Sequence, residues 1–85
     1  MAVEIQDLSA GVCDAIRDAI EAKIPGAVID VSGTGGHYEI RVVSKLFVDK
    51  STLEKQRMVY TAITPLMSGD SAPVHAVDRL ETLTE

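Results

Sequence analysis

The chain of 85 residues is poor in cysteine and aromatic residues: it has one cysteine, two tyrosines, one phenylalanine and no tryptophan. A single cysteine excludes an internal disulfide framework and an all-cysteine metal site within one copy, and it favours a reducing compartment. So few aromatic rings leave no platform for stacking nucleic-acid bases. No apolar run approaches the roughly 18 residues of a membrane span. The N-terminal segment carries acidic residues where a secretory or transit peptide would carry basic ones. These absences predict a soluble, unprocessed, cytoplasmic protein without a membrane partner.

The composition that is present is that of one ordinary globular domain. The chain is 46% apolar and 25% charged, and single domains span roughly 50 to 200 residues. We therefore predict one domain over residues 1–85, with little room for a deep substrate cavity. The net charge of −5 argues against non-specific nucleic-acid binding, because lysine and arginine supply most of the affinity for phosphates.

Two stretches have the apolar periodicity of helices. The first runs from about residue 9 to residue 24 and is followed by Pro25-Gly26, which stops it. The second begins with a capping box, Ser51-x-x-Glu54, and Pro65 is expected to end or kink it. The apolar positions predicted to face the core from this second helix are Leu53, Val59, Tyr60, Ile63, Leu66 and Met67.

Three short segments have the patterns of β-strands. Residues 27–31 are rich in β-branched side chains, residues 38–42 alternate strictly, and residues 74–80 form a plausible third strand. Three glycines within residues 32–36 predict a flexible loop between the first two strands. The side chains expected on the core face of the second strand are Tyr38, Ile40 and Val42. The order α-β-β-α-β predicts a two-layer α+β fold, with both helices on one face of a three-stranded mixed sheet.

Both histidines map to one end of this sheet. A short loop makes the first two strands antiparallel and a crossing helix makes the last two parallel, so His37 and His75 start neighbouring strands at the same end. Imidazoles on strands about 5 Å apart could reach one metal ion or one cluster edge. The sequence does not decide which side chains of the third strand face outward. If His75 faces outward together with Arg79 and Glu81, the alternation turns Val77 outward as well. Two histidines cannot close a four-coordinate site, so they are either half of a shared site or ordinary surface residues.

Other chemistry-bearing residues support weaker alternatives. Cys13 is interpreted as a small buried apolar residue. The sequence has no pattern of a nucleophile with a neighbouring base, so an enzyme is not predicted. The glycines of residues 33–36 precede a strand, which favours a hairpin loop over a phosphate cradle or the GxxG loop of KH domains. A basic stretch in the middle of the chain could contact DNA, although a solvated surface is the simpler interpretation. Its members are Arg41, Lys45, Lys50, Lys55 and Arg57.

Three sequence segments resemble the BolA family. They are VVSKLF at residues 42–47, KQRMVY at residues 55–60 and VHA at residues 74–76. The resemblance implies a small α-β-β-α-β domain similar to class II KH domains. It also implies a heterodimer with a monothiol glutaredoxin, in which a 2Fe-2S cluster is assembled, delivered or used to sense iron.

The resemblance further implies a set of cluster ligands. The glutaredoxin cysteine and a glutathione thiolate hold part of the cluster, and the BolA-like chain supplies His75 and a residue before the second strand, for which His37 is the nearest candidate. The isolated chain is expected to carry no cofactor. Imidazole ligands in place of thiolates raise the potential of such a cluster. The runner-up function is a DNA-binding transcriptional regulator of stress response and cell morphology, with weak DNA affinity, and homodimer formation is left open.

Overall fold

The computed structural model describes residues 8–69 and 71–85. Its elements are α1 (Leu8–Lys23), β1 (Val28–Thr34), β2 (His37–Ser44), a short 3-10 helix (Lys45–Phe47), α2 (Thr52–Met67) and β3 (Ala76–Thr84). The predicted element order is therefore confirmed. Within these described ranges, no helix is long and apolar enough to cross a membrane. The prediction of an unprocessed chain rests on acidic residues near the N-terminus, which lie outside the described ranges.

β2 is the central strand of a three-stranded mixed sheet with the order β1-β2-β3. It runs antiparallel to β1, to which a two-residue turn connects it, and parallel to β3. The parallel pairing follows from α2, which carries the chain back to the starting end of the sheet. Both helices pack on the same face, α1 against β1 and α2 against β3. The predicted two-layer α+β architecture is confirmed.

The core lies between the helices and one face of the sheet. Tyr38, Ile40 and Val42 are buried, as predicted, while the residues between them are exposed. α1 contributes Ile16 and Ile20, which lie one helical turn apart and are completely buried. Burying a side chain of this size contributes about 1.5–3 kcal/mol, so this layer supplies much of the stability. The other buried apolar residues are Ile24, Ile29, Phe47, Val59, Ala62, Ile63 and Val74.

β1 extends through a segment that the glycine content predicts to be a loop. Residues 32–34 pair with residues 37–39 of β2. Gly33 has a φ of +130°, and a Cβ at this position would collide with the carbonyl oxygen of His37. Glycine therefore allows the strand to continue instead of breaking it. The connection is only Gly35-Gly36, with φ of +65° and +87°, as a two-residue type I′ turn requires.

The start of α2 has the predicted capping box. The backbone N–H of Ser51 donates to Oε1 of Glu54 at 2.8 Å, and the backbone N–H of Glu54 donates to Oγ of Ser51 at 3.1 Å. Two backbone donors that the helix cannot satisfy are thus paired at its N-terminus.

α2 continues past Pro65 to Met67, so of the two expectations for this proline, an end or a kink, the end is wrong. Proline removes one backbone donor in the last turn. Other groups hold this turn: the hydroxyl of Thr64 donates to the carbonyl oxygen of Tyr60 at 2.7 Å. The carbonyl oxygen of Leu66 accepts the backbone N–H of Val74 at 3.1 Å.

Two apolar residues predicted to face the core from α2 are exposed instead. Leu53 is 56% exposed and Tyr60 is 39% exposed. The buried side of α2 consists of Val59, Ala62 and Ile63. Leu53 lies in the first turn, ahead of this group, and Tyr60 lies beside it. The helix therefore buries a narrower stripe than its apolar pattern predicts.

Candidate functional site

The two histidines lie at the same end of the sheet. His37 is the first residue of β2, and its partner on β3 is Ala76, the residue after His75. The backbone N–H of His75 donates to the carbonyl oxygen of Gly36 at 2.8 Å, and the N–H of Ala76 donates to the same oxygen at 3.0 Å. The start of β3 is thus bonded to the hairpin turn that precedes His37. The expectation that both histidines lie at one end of the sheet is confirmed.

The imidazole of His75 lies against Gly36. A Cβ at position 36 would come within 2.7 Å of Nδ1 and 2.8 Å of Cγ of His75, which is closer than atoms in van der Waals contact approach. The side chain of His75 is nevertheless exposed to solvent. The turn therefore supports one side of this ring and leaves it accessible to another molecule.

His37 lies on the face of the sheet that the helices leave uncovered. Its Nδ1 is 3.2 Å from Oδ1 of Asp78. A carboxylate accepts hydrogen bonds and does not donate them, so in the neutral ring this contact favours the tautomer with the proton on Nδ1 and the lone pair on Nε2. The side chain of His37 is 59% exposed and that of Asp78 is 54% exposed. A ligand could therefore approach the ring of His37 from solvent.

A β-bulge decides which residues of β3 share this outer face. Pairing passes from Tyr38–Val77 to Glu39–Arg79, so Asp78 is the extra residue. Val77 packs against the core and Arg79 is exposed. The sequence left the facing of β3 open, and the extra residue settles it: Val77 faces the core although Arg79 faces outward, because the bulge changes the alternation of side chains along the strand.

The histidine pair offers two nitrogen donors but not a complete coordination sphere. Within residues 8–69 and 71–85, no group of three or more His, Cys, Asp or Glu side chains could hold a metal ion. Imidazole nitrogens are established ligands of iron in 2Fe-2S clusters. Two such donors could hold part of a cluster but could not complete its coordination alone. The assignment of His37 and His75 as ligands stays a prediction.

The outer face of the sheet beside the histidines carries charges of both signs. Glu81 accepts from Arg79 at 3.2 Å, and Nε of Arg41 lies 3.7 Å from the same carboxylate. Asp30 and Glu39 line the same shallow depression. Because acids surround both arginines, this surface lacks the excess positive charge that binding to DNA phosphates requires.

The members of the predicted basic stretch do not lie on one surface. Arg41 lies on the outer face of the sheet, whereas Arg57 lines a separate depression with Lys23 and Met58, where α2 meets the end of α1. A continuous groove of bases along a nucleic-acid backbone is not formed by these two arginines. DNA binding stays a prediction of the sequence.

The remaining candidates have structural roles. Cys13 is half-buried and packs against the core, so it is less enclosed than predicted. Its Sγ lies 4.0 Å from the carbonyl oxygen of Gly33. The glycine segment joins two strands, as expected, and the helix N-terminus that a phosphate cradle needs does not follow it.

Two neighbours of the histidines were not identified from the sequence. Gly36 contacts His75, and Asp78 contacts His37. The signal for Gly36 is a pair of adjacent glycines before an alternating strand, which is typical of a two-residue hairpin turn. The signal for Asp78 is the adjacent polar pair Asp78-Arg79, which interrupts the alternation of β3 and marks the bulge.

The fold and the histidine pair define a small α+β domain with one uncovered sheet face and two accessible imidazoles at its end. The chain belongs to the BolA-like protein family, whose model matches residues 5–85. The resemblance read from the three sequence motifs is thereby confirmed.

The chain is similar to a curated protein of unassigned function and to solved structures that share its fold. An uncharacterized protein of Buchnera aphidicola subsp. Baizongia pistaciae is 30% identical over 66 residues, which cover 78% of this chain and 81% of the relative. The solution structure of BolA1 from Mus musculus has a TM-score of 0.71 and 27% identity, covering 99% of this chain and 74% of that one. The solution structure of yeast Fra2 has a TM-score of 0.64 and 31% identity, covering 86% and 78%. The similarity to class II KH domains stays a prediction.

Proposed function

We propose that this protein is a BolA-like partner of a monothiol glutaredoxin, and that it supplies His75 and His37 to a shared 2Fe-2S cluster during cluster assembly, trafficking or iron sensing. The glutaredoxin cysteine and a glutathione thiolate supply the other ligands. The observation that carries the proposal is the position of two solvent-exposed histidines at one sheet end, where the backbone N–H of His75 donates to the carbonyl oxygen of Gly36, the residue before His37.

The incomplete donor set supports a shared cluster over a resident one. Two imidazole donors are too few for a closed metal site, and the described residues offer no group of three suitable side chains. The isolated protein is therefore expected to bind no cluster stably. Both His37 and His75 are exposed, so a cluster bound to another protein could reach their rings.

The backbone around the histidines favours ligand exchange without refolding. His37 is the first residue of β2, and His75, just before β3, donates its backbone N–H to the carbonyl oxygen of Gly36 and rests its ring against that turn. Groups that are already ordered lose less conformational entropy on binding. Replacement of thiolate by imidazole would also raise the potential of the cluster, so the complex should differ from the glutaredoxin alone in its redox chemistry as well as in its spectra.

The test is to mix the protein anaerobically with a cluster-loaded monothiol glutaredoxin and glutathione, and to record visible absorption and circular dichroism. We expect new spectral features on mixing, their loss with His75→Ala, and an altered spectrum with His37→Ala. Ser32→Ala is a matched control, because Ser32 is exposed on the neighbouring strand β1, and this variant should behave as the parent protein does. An unchanged spectrum on mixing, or a full response from His75→Ala, would contradict the proposal.

A further inference from the structure

We infer that Asp78 is a positioning residue for His37: its carboxylate accepts the Nδ1–H of the ring and thereby holds Nε2 in place as the nitrogen offered to the cluster. The inference rests on the proposed function, in which His37 is a ligand. It adds a role for a residue that is itself no ligand.

The geometry that carries the inference is a contact between two neighbouring strands. Oδ1 of Asp78 lies 3.2 Å from Nδ1 of His37, although the two residues are 41 positions apart in the sequence. The pairing partner of His37 is Ala76, two residues before Asp78 on β3. The carboxylate therefore reaches the ring diagonally across the outer face of the sheet, over a distance that aspartate can span.

The bulge makes Asp78 available for this contact. In an unbroken register that starts from the pair His37–Ala76, Asp78 would stand opposite Glu39, and like charges in directly opposed positions destabilise a sheet. The observed shift puts Arg79 opposite Glu39 instead. An unfavourable acid pair is thereby replaced by an acid–base pair, and the Asp78 carboxylate can turn toward His37.

The chemical consequence is a defined tautomer. A neutral imidazole has one N–H and one nitrogen lone pair, and the hydrogen bond made by one nitrogen decides which role the other takes. A carboxylate that accepts from Nδ1–H leaves the lone pair on Nε2, fixes the plane of the ring and increases the basicity of the donor nitrogen. His75 is held differently, by the contact of its ring with Gly36. Loss of Asp78 should therefore affect His37 alone.

The first test needs no cluster. Two-bond ¹⁵N–¹H spectra at about pH 8.5, where model imidazoles are neutral, report the tautomer of each histidine. We expect the proton of His37 on Nδ1 in the parent protein and on Nε2 in Asp78→Ala. Asp78→Asn, which keeps a carbonyl oxygen as acceptor, should restore much of the parent signal. Asp30→Ala is the matched control, because Asp30 is an exposed aspartate on β1 that pairs with Arg41.

Clear results would overturn the inference. These are a His37 proton on Nε2 in the parent protein, or an identical His37 tautomer in Asp78→Ala. A shift of the His75 signals as large as that of His37 would also overturn it, because it would indicate general disturbance of the sheet. A backbone amide spectrum of each variant shows that the fold is retained.

The second test uses the mixed complex with cluster-loaded glutaredoxin and separates the inference from the proposed function. Loss of a residue that orients a ligand lowers metal affinity by about 10- to 100-fold, so we expect Asp78→Ala to shorten the half-life of the cluster by at least about tenfold. A half-life that is shortened by His37→Ala and unchanged by Asp78→Ala would overturn the inference. A half-life that neither variant changes would overturn the proposed role of His37 as ligand, while the tautomer result would still decide whether Asp78 positions the ring.

Discussion

Alanine substitutions at Gly35 and Gly36 can separate two effects: strain in the backbone of the turn, and loss of the contact that supports the ring of His75. Both glycines have positive φ, +65° and +87°, so alanine at either position is strained. Only at position 36 would the new Cβ meet another group, the ring of His75 at 2.7 Å, whereas no atom lies within 4 Å of a Cβ at position 35. Gly35→Ala is therefore a matched control for Gly36→Ala.

The expected magnitudes follow from this difference. Left-handed backbone costs a non-glycine residue about 1–2 kcal/mol, and we expect this loss of stability in both variants. In a domain of this size, 1 kcal/mol lowers Tm by about 4–8 °C. In Gly36→Ala the ring of His75 must also turn away, and holding a side chain off its preferred rotamer costs about 0.5–1.5 kcal/mol. Gly36→Ala should thus be destabilised by about 1.5–3.5 kcal/mol.

Urea unfolding measures the stabilities, and the ring resonances of His75 report its position. Both variants should unfold more easily than the parent protein, but only Gly36→Ala should shift the His75 resonances and weaken the spectral response to cluster-loaded glutaredoxin. Equal shifts of His75 in the two variants, or unchanged resonances in Gly36→Ala, would refute the assignment of Gly36 as the support of this ring.

Three further predictions concern the helical layer. Ile63→Ala should lower the free energy of unfolding in urea by about 2–5 kcal/mol, because Ile63 is completely buried. Leu53→Ala, at a 56% exposed site, should change it by no more than about 0.5 kcal/mol. Equal losses in the two variants would contradict the assigned core. Ser51→Ala should cost about 1 kcal/mol through loss of the cap, and a stability equal to the parent's would show that the capping box contributes nothing. The backbone N–H of Ser51, with a smaller effect of its hydroxyl, holds the pKa of Glu54 below its usual value of 4.5. The folded state therefore favours the charged carboxylate, and this stabilisation is present above about pH 4.5 and lost as the pH falls through the lowered pKa. Glu54→Gln should reduce the fall of the urea midpoint on acidification below about pH 4.5, and an unchanged acid dependence would count against this role.

The fold was predictable where the sequence pattern and the packing agree. The strict alternation of β2 identifies Tyr38, Ile40 and Val42 as core residues, and the crossing helix fixes the parallel pairing of β3. The exposure of Tyr60 was not predictable, because it depends on which side of the helix meets the sheet. The sequence left open whether Pro65 ends or kinks α2, because the continuation depends on bonds made by Thr64 and by residues after the helix.

The candidate site was predictable in its position but not in its details. Topology alone brings His37 and His75 to one sheet end. The contacts that hold the rings arise from a hairpin turn at Gly36 and from a bulge at Asp78, and a bulge changes the facing of every later residue in its strand. Sequence alternation read without that extra residue assigns Val77 to the wrong face.

The central claim is that the imidazoles of this chain bind the iron of a cluster held by a glutaredoxin. Pulsed electron paramagnetic resonance of the reduced mixed complex, prepared with only this chain labelled with ¹⁵N-histidine, tests it directly. The account predicts hyperfine coupling from ¹⁵N to the cluster spin, which loses one nitrogen in His75→Ala and another in His37→Ala. A reduced cluster in the assembled complex without any ¹⁵N coupling would contradict it.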